Sequence, residues 1–301
     1  MKVGLGTVQF GLDYGISNGS GMPAAEEVRV ILELARRESI DLLDTAFHYG
    51  DSEAVLGASG LQTDFRVVTK TPQLNKATVT AADCVYIEQC FSESLTRLRQ
   101  PSVYGVLVHQ INDVLADGGG NILESLYRLR QRGLVKKIGV SVYSEQQIEK
   151  LFNIRDIDID IVQLPINVFD QRLSHSGSLR FLQSQQIEIH ARSVFLQGLL
   201  LTESSRLKSY FNEFKPFFAE YHAFLAANQL NLLQGALGYI KSLQCIDYAL
   251  VGVTSAQELQ EITASVAALP AALPDFSAFH SENQKLINPL VWLADGAREK
   301  P

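Results

Sequence analysis

The chain has 301 residues, of which 46% are hydrophobic and 20% are charged, and its formal net charge is −7. Such a composition is typical of a globular protein with a sizeable core, and the length fits one large domain or two ordinary ones. The excess of acidic residues argues against a protein that binds nucleic acid or an anionic membrane, because that function needs basic patches.

The sequence also gives no support for membrane insertion, secretion or metal binding. No apolar run approaches the roughly 20 residues of a transmembrane helix, and the first residues lack the long apolar stretch of a secretory signal. The three cysteines, Cys84, Cys90 and Cys245, show no CxxC spacing, so we expect neither a metal site nor a disulfide framework. These features indicate a cytoplasmic protein with reduced cysteines.

Short apolar runs alternate with amphipathic stretches along the chain. Eight apolar runs have the length of buried strands, at residues 3–5, 40–43, 66–69, 103–108, 137–140, 159–163, 187–191 and 248–251. Between them, apolar residues recur at helical spacing, at residues 25–37, 87–98, 122–132, 145–152, 179–185 and 256–266. The longer interval 199–243 has room for two helices, one of them rich in aromatic residues that we expect to lie in the core.

Strands that are each followed by a helix must run parallel, because every return requires a crossover. Eight such units over about 250 residues indicate an α/β fold of the closed (β/α)8 TIM-barrel type. An open doubly wound sheet is the rival fold, but its glycine fingerprint is incomplete, since Gln9 stands where the third glycine would fall. We expect one barrel domain over residues 1–301, with a tail from 270 to 301 that packs on the barrel.

Four polar residues follow three consecutive predicted strands. Asp44 ends the second strand and Tyr49 follows it after a short loop, Lys70 ends the third strand, and His109 follows the fourth. Because catalytic residues of such barrels lie at the carboxyl ends of the strands, we expect all four at one mouth. Each has an ordinary structural role available, as a cap, a solvated strand end or a packed side chain, but their convergence favours a shared function.

The four residue types suit the reduction of a carbonyl group. Hydride addition builds negative charge on the carbonyl oxygen, which a proton donor such as Tyr49 can neutralise. A neighbouring ammonium such as Lys70 is expected to lower the pKa of the phenol, with Asp44 holding the lysine charged and oriented. His109 can orient the substrate oxygen by a hydrogen bond.

The segment Asp44-Thr45-Ala46-Phe47-His48-Tyr49-Gly50-Asp51-Ser52-Glu53, followed by Leu56-Gly57, resembles the signature of the aldo-keto reductases. Lys70 and His109 fall where that family keeps its catalytic lysine and histidine. The resemblance continues through Ile138-Gly139-Val140-Ser141, through Gln163-Leu164-Pro165-Ile166-Asn167, and from Gly252 to Glu261. It therefore covers nearly the whole chain.

The resemblance implies NAD(P)H bound in an extended pose across the barrel mouth, and a small-molecule carbonyl compound as substrate. It places the nicotinamide near Ser141, Gln163 and Arg192, and the remainder of the cofactor near the segment after the eighth strand. Within that segment it implies contacts from residues that line the cofactor: Gly252, Thr254, Glu258 and Glu261.

The chain departs from the family pattern at three places. The first strand begins at once, where the family usually has a hairpin that plugs the barrel bottom. Val142 replaces an asparagine that commonly helps to hold the carboxamide, and Arg192 replaces a tyrosine that often stacks on the nicotinamide. A guanidinium can stack as well, but it also attracts anions.

Two finer expectations concern the cofactor and the substrate. Many relatives bind the adenosine 2′-phosphate through a basic residue after the eighth strand, whereas residues 252–261 contain no Lys or Arg and carry Glu258 at about that place. We therefore expect NADH to be preferred over NADPH. Residues 6–15 and 187–200 resemble a bacterial branch associated with cell-surface polysaccharide synthesis, which implies a sugar or sugar-nucleotide carbonyl.

Two alternative functions are compatible with the same barrel. A non-catalytic nicotinamide-binding protein could act as a regulatory subunit, although the presence of all four polar residues argues against it. A lyase or isomerase could use Lys70 as a Schiff-base amine. An ion pair with Asp44 argues against this second alternative, because it keeps the lysine protonated.

Overall fold

The structure is a computed structural model that describes residues 1–16, 18–154 and 157–294. Eight parallel strands close into a barrel in which each strand pairs with its neighbours in sequence, and the first strand pairs with the last. The strands are β1 (Lys2–Gly6), β2 (Leu42–Asp44), β3 (Arg66–Lys70), β4 (Val103–Val108), β5 (Val135–Ser141), β6 (Ile161–Pro165), β7 (Glu188–Arg192) and β8 (Tyr248–Gly252).

Helices surround this barrel and connect its strands. They are α1 (Ala25–Arg37), α2 (Ser52–Ser59), α3 (Ala81–Leu98), α4 (Ile111–Leu115), α5 (Gly120–Gln131), α6 (Glu145–Phe152), α7 (Arg172–His175), α8 (Ser178–Ser184), α9 (Lys215–Ala227), α10 (Leu232–Ser242), α11 (Ala256–Ala267), α12 (Gln284–Ile287) and α13 (Pro289–Ala294). Among the described residues, no helix is long and apolar enough to span a bilayer.

The predicted (β/α)8 barrel is confirmed, and all eight predicted strands form. The bounds of β4, α1 and α6 agree with the predicted ones. The largest shift is at α3, which begins six residues earlier, while β5 begins two residues earlier and β2 and β6 begin two residues later. The early start of α3 has a local cause, since Thr80 and Asp83 form a capping box that the apolar pattern did not reveal.

Two hydrophobic cores hold the barrel together. The larger one lies between the sheet and the surrounding helices, where the outward-facing residues of the strands meet the apolar faces of the helices. The smaller one fills the inside of the barrel with few large side chains: Leu42, Val68, Leu107, Ile161, Tyr248 and Leu250. Gly105 makes room for two of them, because a Cβ there would lie 3.1 Å from Ile161 and 3.2 Å from Val68.

The two helices expected between the seventh and eighth strands are α9 and α10, and short 3₁₀ segments precede them. Several aromatic residues of this region are buried, including Phe211, Phe218 and Tyr221. In the predicted tail, the indole of Trp292 is buried, lies edge-on to Phe211 and donates a hydrogen bond of 2.8 Å to the Lys285 carbonyl. The organisation as a single domain stays a prediction, and the tail residues 295–301 lie outside the described part.

The amino ends of the strands form the floor of the barrel, and polar side chains cover it. Glu188, at the start of β7, accepts hydrogen bonds from Tyr104 (2.8 Å) and Lys137, and its other oxygen contacts Nε2 of His190 at 2.7 Å. Beside this group, the Tyr248 hydroxyl donates to Asp41 over 3.0 Å. Charged and aromatic side chains of the strands themselves therefore close this end.

Candidate active site

A cavity of about 960 Å³ opens at the carboxyl ends of the strands, which form the mouth of the barrel. Of the predicted site residues, ten line it directly: Asp44, Tyr49, His109, Ser141, Gln163, Arg192, Gly252, Thr254, Glu258 and Glu261. The remaining one, Lys70, lies just behind them and contacts two of them. The structure thus brings the predicted site residues to one mouth.

Asp44 and Lys70 form a buried ion pair at the ends of β2 and β3. The Lys70 ammonium donates to Oδ2 of Asp44 over 2.7 Å and to the Thr45 carbonyl over 2.9 Å. The amide of Gln163 donates to the other carboxylate oxygen over 2.7 Å. Both oxygens of Asp44 are thus bound, one by Lys70 of β3 and the other by Gln163 of β6, and this fixes the carboxylate that positions Lys70.

Tyr49 is placed by the loop that connects β2 to α2. Ser52, at the start of α2, shares hydrogen bonds with the hydroxyls of Thr7 (2.8 Å) and Thr45 (3.1 Å), which ties this loop to the ends of β1 and β2. Gly50 has a φ of 55°, and a Cβ at this residue would lie 2.2 Å from the carbonyl oxygen of Gly11. Glycine is therefore required directly after Tyr49 for the loop to pack this closely.

The side chains around Tyr49 form a compact group. The Lys70 Nζ atom lies 5.0 Å from the centre of the Tyr49 ring. The His109 ring meets Tyr49 edge-on with a distance of 5.8 Å between ring centroids. The Nδ1 atom of His109 is buried and has no hydrogen-bond partner among the described residues. The tyrosine therefore stands between a cation and an imidazole at the cavity wall.

The electrostatics of the mouth differ in one respect from the expectation. Burial raises the pKa of Tyr49 well above the usual value of a phenol, Asp44 raises it further, and Arg192 opposes both effects. The cation that counteracts burial is thus Arg192, whereas Lys70 was expected to lower this pKa. The reason is that Lys70 is itself buried against Asp44, so its charge is largely compensated, and burial lowers its own pKa.

His109 is uncharged at neutral pH. Burial lowers its pKa to about 3, and the charges of Lys70 and Arg192 and the neighbouring His48 add to this effect. A neutral imidazole can still donate one N–H hydrogen bond. The site therefore contains two neutral hydrogen-bond donors, Tyr49 and His109, beside an ion pair.

Arg192 is the last residue of β7, and no carboxylate of the described residues forms an ion pair with it. Its guanidinium lies over the ring of Tyr143, with 4.2 Å between Cζ and the ring centroid. Nη1 reaches the hydroxyl of Ser193 only at 3.5 Å, and Nη2 is buried without a hydrogen-bond partner among the described residues. The stacking on Tyr143, which the sequence did not indicate, fixes the guanidinium at the cavity wall.

The far end of the cavity is acidic. The carboxylate of Glu258 accepts hydrogen bonds from the backbone N–H of Thr254 (2.6 Å) and from its hydroxyl (3.1 Å). Glu27 of α1 accepts a hydrogen bond of 2.7 Å from the backbone N–H of Ala256, the first residue of α11. Glu261 lies one turn further along α11. Carboxylates of the chain itself thus satisfy backbone donors where this helix begins.

Comparison with known proteins identifies the family. The aldo/keto reductase family matches residues 2–277, which is most of the chain. The chain belongs to this family. It is therefore an oxidoreductase of the NAD(P)H-dependent aldo-keto reductase type, and the predicted family is confirmed. A comparison with curated proteins finds no match.

Solved structures of other aldo-keto reductases share the fold. A Bacillus halodurans aldo-keto reductase in its holo form is 19% identical, with a TM-score of 0.69 over 90% of this chain and 88% of that one. A Klebsiella pneumoniae aldo-keto reductase in complex with NADPH is 17% identical, with a TM-score of 0.65 over 90% and 87% of the two chains. A Pseudomonas aeruginosa protein assigned to the aldo-keto reductases is 22% identical, with a TM-score of 0.65 over 88% and 89%.

The mouth of this aldo-keto reductase fits a nicotinamide cofactor. Ser141 and Gln163 lie side by side in the register of β5 and β6. The Nε2 atom of Gln163 donates to Asp44, and the Oε1 atom takes no part in that hydrogen bond. The side-chain oxygen of Gln9, Oε1, is buried at the mouth without a hydrogen-bond partner among the described residues. The unsatisfied Gln9 oxygen and the Ser141 hydroxyl and Gln163 amide that also line the cavity are polar groups of the kind that a carboxamide requires. The cavity volume lies at the upper end of the range for ligand sites, roughly 300–1,000 Å³.

The sequence indicated no role for Gln9 and Tyr143, which line the cavity, or for Glu27, which binds the start of α11. Gln9 and Tyr143 lie within three residues of the ends of β1 and β5, so the rule that polar groups near the strand ends meet at the mouth could have found them. Glu27 lies 229 residues from its partner Ala256, and no local pattern indicates such a contact. Among the described residues, no group of three His, Cys, Asp or Glu side chains could hold a metal ion.

Proposed function

We propose that this aldo-keto reductase reduces an aldehyde or ketone with Tyr49 as the proton donor. One observation carries the proposal: Tyr49 lies between the buried Asp44–Lys70 pair and the neutral His109, at the wall of the cavity. When bound, the reduced nicotinamide supplies the hydride. The roles of the side chains follow from their protonation states and their contacts.

Tyr49 stays protonated at neutral pH because its pKa is raised, so it is available as an acid. An oxygen that becomes an alkoxide is a far stronger base than a phenolate, and it therefore takes the proton of Tyr49. Lys70, 5.0 Å from the ring, is paired with Asp44, and Arg192 is the cation that opposes the rise of the Tyr49 pKa and so favours the phenolate that remains. Neutral His109 donates a hydrogen bond to the same substrate oxygen and sets its angle.

Asp44 acts through its neighbours. It keeps the Lys70 ammonium in place and charged, opposing the effect of burial on the lysine pKa. It also orients Gln163, whose free oxygen we assign to the carboxamide of the nicotinamide together with the Ser141 hydroxyl. The Asp44 carboxylate thus joins the four residues Asp44, Tyr49, Lys70 and His109, the tetrad, to the proposed cofactor site.

We further propose that NADH is the preferred cofactor. The adenosine end of an extended cofactor would lie toward α11, where the described cavity residues are acidic: Glu258 and Glu261. A 2′-phosphate would meet these charges, whereas a free 2′-hydroxyl can donate to a carboxylate. The NADPH complex of the Klebsiella pneumoniae protein does not decide this point, because the two chains are only 17% identical.

For the substrate, we propose the carbonyl of a sugar or a sugar nucleotide. The two segments that resemble the polysaccharide-associated branch both line the cavity, the first through Thr7, Gln9 and Tyr14 and the second through Arg192 and Phe195. Polar groups from two loops are suited to a polyhydroxylated compound, because each hydroxyl needs a partner when it leaves water.

Titration of the purified protein with NADH and with NADPH, followed by nicotinamide fluorescence, tests the cofactor site. Oxidation of the bound cofactor by simple aldehydes and by aldoses, followed by absorbance, then tests catalysis. We expect saturable binding and aldehyde-dependent oxidation. Tight binding without turnover of any carbonyl compound would instead support the regulatory barrel. If borohydride trapped a covalent adduct of the substrate on Lys70, the Schiff-base alternative would be supported.

A further inference from the structure

Arg192 is the one lysine or arginine among the described residues that line the cavity. Its guanidinium lies over the Tyr143 ring and, within the described residues, makes one hydrogen bond, of 3.5 Å, to the hydroxyl of Ser193. The buried Nη2 atom has no partner in the described part of the chain. A buried guanidinium N–H without an acceptor is costly, which indicates that a ligand supplies the acceptor.

The charge of Arg192 is also not compensated within the chain. No carboxylate of the described residues forms an ion pair with it, although the chain has many acidic residues. Asp44, the acidic residue of the tetrad, already has both oxygens bound by Lys70 and Gln163. With Tyr49 and His109 neutral and Lys70 paired with Asp44, Arg192 therefore carries the one uncompensated charge among these five residues.

We propose that Arg192 binds a carboxylate or phosphate group of the substrate, so that the preferred substrates are carbonyl compounds with an anionic group. The proposal rests on the proposed carbonyl reduction and adds the substrate class to it. A guanidinium binds either oxyanion through two parallel hydrogen bonds, and its fixed stacking reduces the entropy lost on binding.

The position of Arg192 favours the substrate over the phosphates of the cofactor. Its charge acts on Tyr49 and on His109, the two groups that would contact the reacting carbonyl. The groups with the largest effects on the pKa values of Tyr49 and His109 include Arg192 but not Glu258 or Glu261, the acidic residues of α11. An anionic substituent beside the carbonyl would thus meet the charge of Arg192.

Matched pairs of aldehydes test the proposal. The carboxylate pair is 4-carboxybenzaldehyde and its neutral amide, and the phosphate pair is glyceraldehyde 3-phosphate and glyceraldehyde. We expect Arg192→Gln to raise KM for the charged member of at least one pair by about tenfold or more, which corresponds to about 1.4 kcal/mol, and for the neutral member by less than about threefold. The pair that responds identifies the oxyanion. Arg192→Lys should restore part of the loss, since it keeps the charge but not the paired hydrogen bonds.

A binding measurement separates this proposal from the proposed function. Calorimetry with 4-methylbenzoate, 4-methylbenzamide and inorganic phosphate on the protein saturated with NADH needs no turnover. Weaker binding of an anion in Arg192→Gln, with the amide unaffected, supports the proposal even if no aldehyde is reduced. Equal losses for charged and neutral compounds, or a loss confined to NADH affinity, would overturn it. The exposed Arg180, changed to Gln, is the control for removal of an arginine, and it should leave every constant unchanged.

Discussion

The two ends of this barrel carry nearly the same set of side chains. At the mouth, Asp44, Tyr49, Lys70 and His109 come together, and at the floor Glu188, Tyr104, Lys137 and His190 do so. Strand β5 carries Lys137 at the floor and Ser141 at the mouth, β7 carries Glu188 and Arg192, and β4 carries Tyr104 at the floor and is followed by His109 at the mouth. Residue types alone therefore do not distinguish a catalytic group from a structural one.

The difference lies in how the hydrogen-bonding groups are used. At the floor, the tyrosine, the lysine and the histidine all bind Glu188, so their polar groups serve the carboxylate. At the mouth, Asp44 takes the lysine and Gln163, while the rings of Tyr49 and His109 face a cavity. Donors that remain available beside an open cavity are what makes the mouth a candidate for chemistry.

Removing one hydroxyl at each end gives the largest expected contrast. Tyr49→Phe should lower aldehyde reduction by at least about 10²-fold, the scale of lost general acid catalysis, and leave NADH affinity nearly intact. Tyr104→Phe should leave turnover unchanged and lower the free energy of unfolding by about 1–2 kcal/mol, because it removes a hydrogen bond to a charged group. Steady-state kinetics and urea unfolding of both variants measure this. Near-normal turnover in Tyr49→Phe would assign the proton donor to another group.

The sequence predicted the mouth better than the floor for a physical reason. The alternation of apolar and amphipathic stretches specifies the strands, and the strand ends then specify Asp44, Lys70 and His109. The floor residues Tyr104 and Glu188 lie at strand starts, where no rule connects polar residues with a shared site. Glu188 contacts His190 two residues along the chain, but its contacts with Lys137 and Tyr104 join residues 51 and 84 positions apart.

The same limit applies within the site itself. The departure at Arg192 was visible in the sequence, but its stacking on Tyr143 was not, because β5 and β7 meet only across the mouth. The balance of pKa effects on Tyr49 was also not predictable. It depends on how deeply the ring is buried and on which cations nearby remain uncompensated, and both are properties of the packed barrel.

The Glu188 cluster at the floor should make the free energy of unfolding depend on pH in the acid range. Burial opposes ionisation of Glu188, but hydrogen bonds from His190, Lys137 and Tyr104 outweigh it and lower its pKa from 4.5 to about 2. A carboxylate with a depressed pKa in the folded state stabilises the protein above pH 4.5, and this stabilisation is lost as the pH falls toward 2. The loss is about 2 kcal/mol between about pH 7 and pH 3.

Urea unfolding at the two pH values measures this effect. The wild type should lose about 2 kcal/mol more on acidification than Glu188→Gln does. Glu124→Gln, which changes an exposed glutamate of α5, serves as the control and should follow the wild type. If Glu188→Gln and the wild type lost the same free energy, the floor cluster would not be the acid-sensitive element.

At the mouth, a smaller effect is expected on the choice of cofactor. Glu258→Gln should tighten NADPH binding by about three- to tenfold, because it removes a negative charge that is partly screened by solvent. NADH affinity should change by less than about twofold, because the amide can still accept a hydrogen bond from the 2′-hydroxyl. Fluorescence titration with both cofactors checks this, with Glu145→Gln in the first turn of α6 as the control. Tighter NADPH than NADH binding by the wild type would contradict the proposed preference.

The smallest expected effect is the response of reduction to pH. His109 has a pKa of about 3, so it stays neutral throughout the neutral range, and Tyr49 stays protonated because its pKa is raised well above that of a free phenol. Neither group changes its protonation state between about pH 5 and pH 9, where an unperturbed histidine would titrate near 6.5. We therefore expect kcat for reduction of a neutral aldehyde to vary by less than about twofold over this range. A limb with an apparent pKa near 6 to 7 that disappeared in His109→Gln would show that the imidazole is charged during turnover, and its role as a neutral donor would then be wrong.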